Sequence, residues 1–129
     1  RDRIDLVPCC FALVDVGFGP DGEMLVELVT AVDHKPKSTS RLARLANIER
    51  NENASLLVDH RDAEDWSRLW WVRVSGSARV VTGGDDWANA IEALVDKYPS
   101  YQKRAPEGPV IRLAIDRWSG WQSSQADQV

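Results

Sequence analysis

The chain has 129 residues, 43% of them hydrophobic, which is enough apolar material for one globular domain with its own core. A formal charge of −4 argues against nucleic acid as a general partner. No run approaches the roughly 18 consecutive apolar residues of a membrane-spanning helix and none reads as a signal peptide, so a soluble, cytoplasmic protein is expected.

Arg1-Asp2-Arg3 leads at once into Ile4 to Val14, which reads as a strand apolar on both faces. So abrupt a start suggests a chain that begins partway through a longer polypeptide. Cys9 and Cys10 are adjacent in that strand, where their side chains would point to opposite faces and could not easily bridge. Buried free thiols are expected. Gly17-Phe18-Gly19-Pro20-Asp21-Gly22 has the composition of a hairpin turn, and Met24 to Val32 is the return strand.

The strand ends in Thr30-Ala31-Val32-Asp33-His34-Lys35-Pro36-Lys37, two lysines flanking a proline, and a helix follows from about Ser38 to Asn51. The first N–H groups of a helix are unpaired and its dipole is positive there, so an anion binds well where lysines add full charge. Lys37, Arg41 and Arg44 fall at i, i+4 and i+7 on one face, with Leu42, Leu45 and Ile48 turned to the core. The same spacing describes an ordinary solvated helix face equally well.

Ala54 to Asp59 forms another apolar strand before a charged loop, His60 to Asp65. The carboxylates Asp59, Asp62, Glu64 and Asp65 could hold a divalent cation, although a solvated loop is the ordinary reading. A long strand runs from about Leu69 to Val81 and is interrupted by Gly76, the mark of a bulge or sharp bend. Gly83-Gly84-Asp85 opens a second helix whose Trp87, Ile91, Leu94, Val95 and Tyr98 recur at helical spacing until Pro99. Val110 to about Ile115 is the last strand, ahead of Arg117-Trp118-Ser119-Gly120-Trp121 and a polar tail expected to be disordered.

His34 and His60, the two histidines, sit in no zinc-binding spacing, so no metal site is assigned. There is no G-x-G-x-x-G or G-K-[ST] signal, which sets aside Rossmann and P-loop chemistry. The pattern is mainly β: five or so mostly antiparallel strands and two helices suggest a small β-barrel, with a sandwich as the competing architecture.

Several segments resemble a known family. Leu6-Val7-Pro8-Cys9-Cys10-Phe11-Ala12-Leu13, Asp33-His34-Lys35-Pro36-Lys37, Leu42-Ala43-Arg44-Leu45-Ala46-Asn47-Ile48, Ser55-Leu56-Leu57-Val58-Asp59, Trp66-Ser67-Arg68-Leu69-Trp70-Trp71-Val72-Arg73 and Trp118-Ser119-Gly120-Trp121 look like the pyridoxamine 5'-phosphate oxidase-like split-barrel proteins. Within them they look closest to the actinobacterial branch of F420-dependent enzymes, the flavin/deazaflavin oxidoreductases. The resemblance implies a single split-barrel domain over 1–122, followed by the tail at 123–129. It also implies that the family's first helix and strand are missing ahead of Arg1.

The resemblance further implies a split β-barrel homodimer with two cofactor sites at the subunit interface, each lined by both chains. Six tryptophans, more than a small core readily buries, give dimerisation a physical motive. Carried over by position, Thr30 and Ala31 approach the cofactor's phosphate and ribityl chain, and Lys35 and Lys37 bind the phosphate. Arg41 reaches the same phosphate or, in F420, the acidic tail beyond it. Val7, Pro8 and Cys9 run beside the isoalloxazine-like ring, with backbone groups on the ring edge.

Leu57 and Val58 line the same pocket, Trp70, Trp71 and Arg73 lie near the partner's cofactor, and Trp118 or Trp121 caps the ring. Each tryptophan also reads as core or dimer packing. Hydride chemistry belongs to the cofactor, so no catalytic side chain is assigned. Cys9, Tyr98, Tyr101, His34 and water are the open candidates for proton donor.

The expected activity is an F420-dependent reductase exchanging hydride between the deazaflavin C5 and a small planar or conjugated substrate. An FMN-dependent oxidase or reductase of the same fold is the alternative. A non-catalytic carrier of F420, flavin or haem is the reading from another class, His34 alone lying near enough to serve haem.

Overall fold

The computed structural model describes residues 6–32 and 39–123, without the side chains of 39–43. Its strands are β1 (Ala12–Phe18), β2 (Met24–Ala31), β3 (Asn53–His60), β4 (Trp70–Val81) and β5 (Val110–Gln122). They form one antiparallel sheet in the order β1-β2-β5-β4-β3. Helix α1 (Thr39–Arg50) connects β2 to β3, while α2 (Gly84–Lys97) and the short α3 (Pro99–Lys103) connect β4 to β5.

Both faces of the central strands are covered, which is why β2 and the start of β5 read as continuous apolar runs. On one face Ala12, Val29, Ala31 and Val110 pack against Ala90, Ile91 and Leu94 of α2. On the other, Leu28, Val32, Val74, Ala78, Ile111 and Leu113 meet Leu45 and Ile48 of α1. Burying a side chain such as Leu94, which is wholly enclosed, contributes about 1.5–3 kcal/mol. The helical spacing of Trp87, Ile91, Leu94 and Tyr98 therefore marked a core face, and the Trp87 indole N–H also donates to the Gly108 carbonyl at 2.9 Å.

Helix α2 begins at Gly84, where φ is +81°, a backbone conformation that glycine adopts without the clash of a Cβ. Asp85 and Asp86 in its first turn complement the helix dipole. The expectation of two helices omitted α3. Pro99 both stops α2 and occupies the first turn of α3, where its missing N–H costs nothing.

Three further expectations are corrected. The first strand begins at Ala12 and not at Ile4, with Leu6 to Cys10 lying outside any strand. Pro8 can donate no ladder bond, and the register with β2 stops at the Ala12–Val29 pair. Cys9 and Cys10 are accordingly free and exposed, not buried. The last strand runs on through Arg117-Trp118-Ser119-Gly120-Trp121, because β4 is long enough to pair with it as far as Gln122.

Gly76 does mark an irregularity. Ser75 pairs with Arg117 and Gly76 with Ile115, so Asp116 is an extra residue bulged out of β5. The strands approach so closely that a Cβ on Gly76 would lie 1.9 Å from the Ala114 carbonyl oxygen. The polar tail at 124–129 lies outside the described residues.

Candidate functional site

The end of β2 is the first place where predicted site residues fall. Thr30 lies between Leu28 and Val32 on the face covered by α1, and Ala31 points the other way into the α2 cluster. Thr30 is 8% exposed and its Oγ1 is buried without a hydrogen-bond partner. A buried hydroxyl left unpaired costs about 1–3 kcal/mol. On α1, which packs on the same face through Leu45 and Ile48, the Nε of Arg44 is likewise buried and unpartnered. The arginine is therefore more than a solvated face of the helix.

Two orphaned donors on one side of the sheet, flanking the lysine-bearing connection, suit an anionic group that accepts hydrogen bonds. Lys35, Lys37 and His34 lie outside the described residues, as does the side chain of Arg41. An open cleft of about 550 Å³ lies between α1's last turn and β4, lined by residues that include Ile48, Asn51, Ala78 and Val80. Among the described residues, none of the predicted ones lines it, although Val80 and Thr30 share a cross-strand row through Ile111.

The second group lies where β3, β4 and the end of β5 run side by side. Leu57 pairs with Arg73 and Arg73 with Ser119, and Asp59, Trp71 and Trp121 form the adjacent row on that face. Val58, Val72 and Gly120 form a row on the opposite face, as do His60, Trp70 and Gln122, and Leu56, Val74 and Trp118. Strand alternation thus divides the predicted residues. Thr30, Val58, Trp70 and Trp118 share the α1 side, while Ala31, Leu57, Trp71, Arg73 and Trp121 share the other.

One pocket within one chain can be lined by the side chains of only one of these sets. Leu57, Trp118 and Trp121 are 64%, 55% and 48% exposed, so both faces present apolar surface.

Val7, Pro8 and Cys9 form the third group and are exposed, immediately ahead of Phe11, which α2 holds in place. Of the candidate proton donors, Tyr98 has its hydroxyl engaged: it accepts the Phe11 N–H and donates to the Phe11 carbonyl, each at 3.0 Å. Tyr101 packs edge-on against the Tyr98 ring, 5.7 Å between centroids. In the charged loop, the Asp65 carboxylate accepts the Ser67 hydroxyl and backbone N–H, which hold it below its ordinary pKa. It caps the single 3-10 turn Trp66–Arg68.

Sequence reasoning missed an ion network under α2. Arg112, 2% exposed, donates to Glu27 Oε1 at 2.7 Å and to the Asp86 carbonyl at 2.7 Å. Arg79 bridges Glu27 at 3.2 Å and Asp86 at 3.4 Å. The signal was an arginine set between Ile111 and Leu113 in an apolar strand. Also missed were the stacking of His60 on Trp70 and the buried, unpaired Ser119 Oγ beside Arg73. Among the described residues, no helix is long and apolar enough to cross a membrane.

A family model described as pyridoxamine 5'-phosphate oxidase matches residues 16–122. Among solved structures, the conserved hypothetical protein Rv2991 from Mycobacterium tuberculosis is similar to this chain with a TM-score of 0.54. It shares 17% sequence identity over 91% of this chain and 79% of its own, a likeness of fold. No curated protein matches.

Proposed function

The chain belongs to the pyridoxamine 5'-phosphate oxidase family, with a mainly β fold of that type, and from this premise we propose that it is an F420-dependent oxidoreductase. Its substrate on this reading is a small planar or conjugated molecule. The observation that carries the reading is the buried, unpartnered Thr30 hydroxyl at the end of β2, with the unpartnered Nε of Arg44 on the same side of the sheet. The bound deazaflavin supplies the hydride chemistry, and the protein binds and orients it.

Thr30 donates to a phosphate oxygen, and Lys35 and Lys37 neutralise that phosphate. Arg41 and Arg44 add more cation than one phosphate requires, which favours an anionic group extended beyond it. The backbone of Val7 to Cys9 lies along the ring. With the Tyr98 hydroxyl committed to Phe11, Cys9, Tyr101, His34 and water remain as sources of a proton. The apolar surface at Trp118, Trp121 and Leu57 supports a homodimer whose cofactor sites are shared between chains.

FMN is the second reading, favoured by the family match itself, because a single phosphate clamp suffices for it. Titration of the protein's tryptophan fluorescence with F420 and, separately, FMN tests both. Saturable quenching by F420 at lower concentration than by FMN is expected. Tight FMN binding without an F420 response would make the protein a flavoenzyme, and binding of neither would overturn the proposal.

A further inference from the structure

The last turn of α2 holds the chain at the point where it enters the sheet. β1 is an outer strand, and Phe11 is the residue just before it. The Tyr98 hydroxyl takes both backbone bonds of Phe11, accepting its N–H and donating to its carbonyl, each at 3.0 Å. Lys97 Nζ donates to the same carbonyl at 2.7 Å and stands 3.6 Å from the centroid of the Phe11 ring. One hydroxyl thus does for Phe11 what a neighbouring strand would do, and the cation pins the ring beside it.

We propose that Lys97 and Tyr98 are positioning residues that aim the exposed Leu6–Cys10 segment at the cofactor ring. This rests on the reading above, in which Val7, Pro8 and Cys9 lie along that ring. With both backbone groups of Phe11 fixed, the segment leaves the sheet in one direction and its own amides are presented to a ligand without a prior search. Apart from its packing on Ala31 at the end of β2, the influence of α2 on the site passes through Phe11.

Tyr98→Phe keeps the ring in the apolar cluster and removes both hydroxyl bonds; Lys97→Met, on the solvent side, removes the third bond and the cation. Amide hydrogen exchange of the cofactor-free protein should be about fivefold faster at Phe11 in Tyr98→Phe, with the core amides of α2 and β5 unchanged. In both variants the dissociation constants for F420 and FMN should rise about fivefold, while inorganic phosphate, which reports the Thr30 end alone, binds as it does to wild type.

A merely structural role would weaken phosphate and ring ligands together. Wild-type affinity of Tyr98→Phe for F420 and FMN, or unchanged exchange at Phe11, would overturn the positioning role. Wild-type protein that binds neither cofactor would overturn the deazaflavin reading and the aim at the ring with it, and exchange at Phe11 would then decide separately whether the clamp itself exists.

Discussion

Arg112 on β5 and Glu27 on β2 are joined by a 2.7 Å bond between guanidinium Nε and carboxylate Oε1, with the arginine side chain 2% exposed. Removing two charges from water is costly, and the pair is tolerated because its remaining groups are also satisfied. Arg112 reaches the Asp86 carbonyl in the first turn of α2, and Arg79 approaches Glu27 from β4. The network therefore ties three strands to the start of the helix that covers them.

Glu27→Ala strips the carboxylate from a guanidinium that cannot reach water. It should cost about 3–5 kcal/mol, read as a lowered midpoint in urea unfolding.

The acid limb of stability follows from the same residue. Burial raises the Glu27 pKa, but the hydrogen bonds and charges of Arg79 and Arg112 outweigh it and leave the carboxyl below its ordinary 4.5. A group depressed in the folded state stabilises above its unfolded pKa, and that contribution fades as pH falls through the lower folded value. Wild-type stability should therefore drop below about pH 4.5, and Glu27→Gln should flatten that drop. An identical acid limb in the two proteins would show that Glu27 is not its source.

Thr30→Val replaces a buried, unpaired hydroxyl with a methyl group of the same shape. The cofactor-free protein should gain about 1 kcal/mol of stability while losing affinity for F420 or FMN. Thermal unfolding alongside fluorescence titration reads both, and a loss of stability would mean that the hydroxyl already has a partner.

Lys37→Ala should weaken cofactor binding by about 1–3 kcal/mol, the scale of one charge-assisted phosphate contact. That affinity should also fall as salt rises, since exposed charges are screened. An unchanged dissociation constant would move the phosphate elsewhere.

Gly76→Ala drives a methyl group into the Ala114 carbonyl across the β4–β5 pairing. A loss of about 1–3 kcal/mol is expected, measured by denaturant unfolding, because backbone on both sides must give way.

Much of the fold was legible because its signals are local. Period-2 and period-3.6 apolar patterns located β2, α1, β3, β4 and α2, and a lone glycine in a long strand marked the irregularity at Gly76. The start of β1 and the end of β5 were not legible, since an apolar run becomes a strand only where a neighbour pairs with it, and that neighbour is remote in sequence.

The candidate site was legible as residue types and not as sides. The family resemblance could name Leu57, Val58, Trp70 and Trp71, but only the register across β3, β4 and β5 sorts them onto two faces. The Glu27–Arg112 pair joins residues 85 apart, and no local pattern announces it.

The single extra residue at Asp116 also governs how the far end of β5 can change. Side chains alternate along a strand, and a bulged residue shifts the odd–even count beyond it while the pairing holds each side chain on its partner's face. Loss of Asp116 by an in-frame deletion would join Ile115 to Arg117, restore regular pairing and leave each residue beyond it on the face it now occupies. Were Asp116 kept but paired opposite Ser75, without the bulge, Arg117, Ser119 and Trp121 would turn towards α1, and Trp118 and Gly120 away from it. The bulge thus lets β5 carry one extra residue without exchanging the two surfaces beyond it.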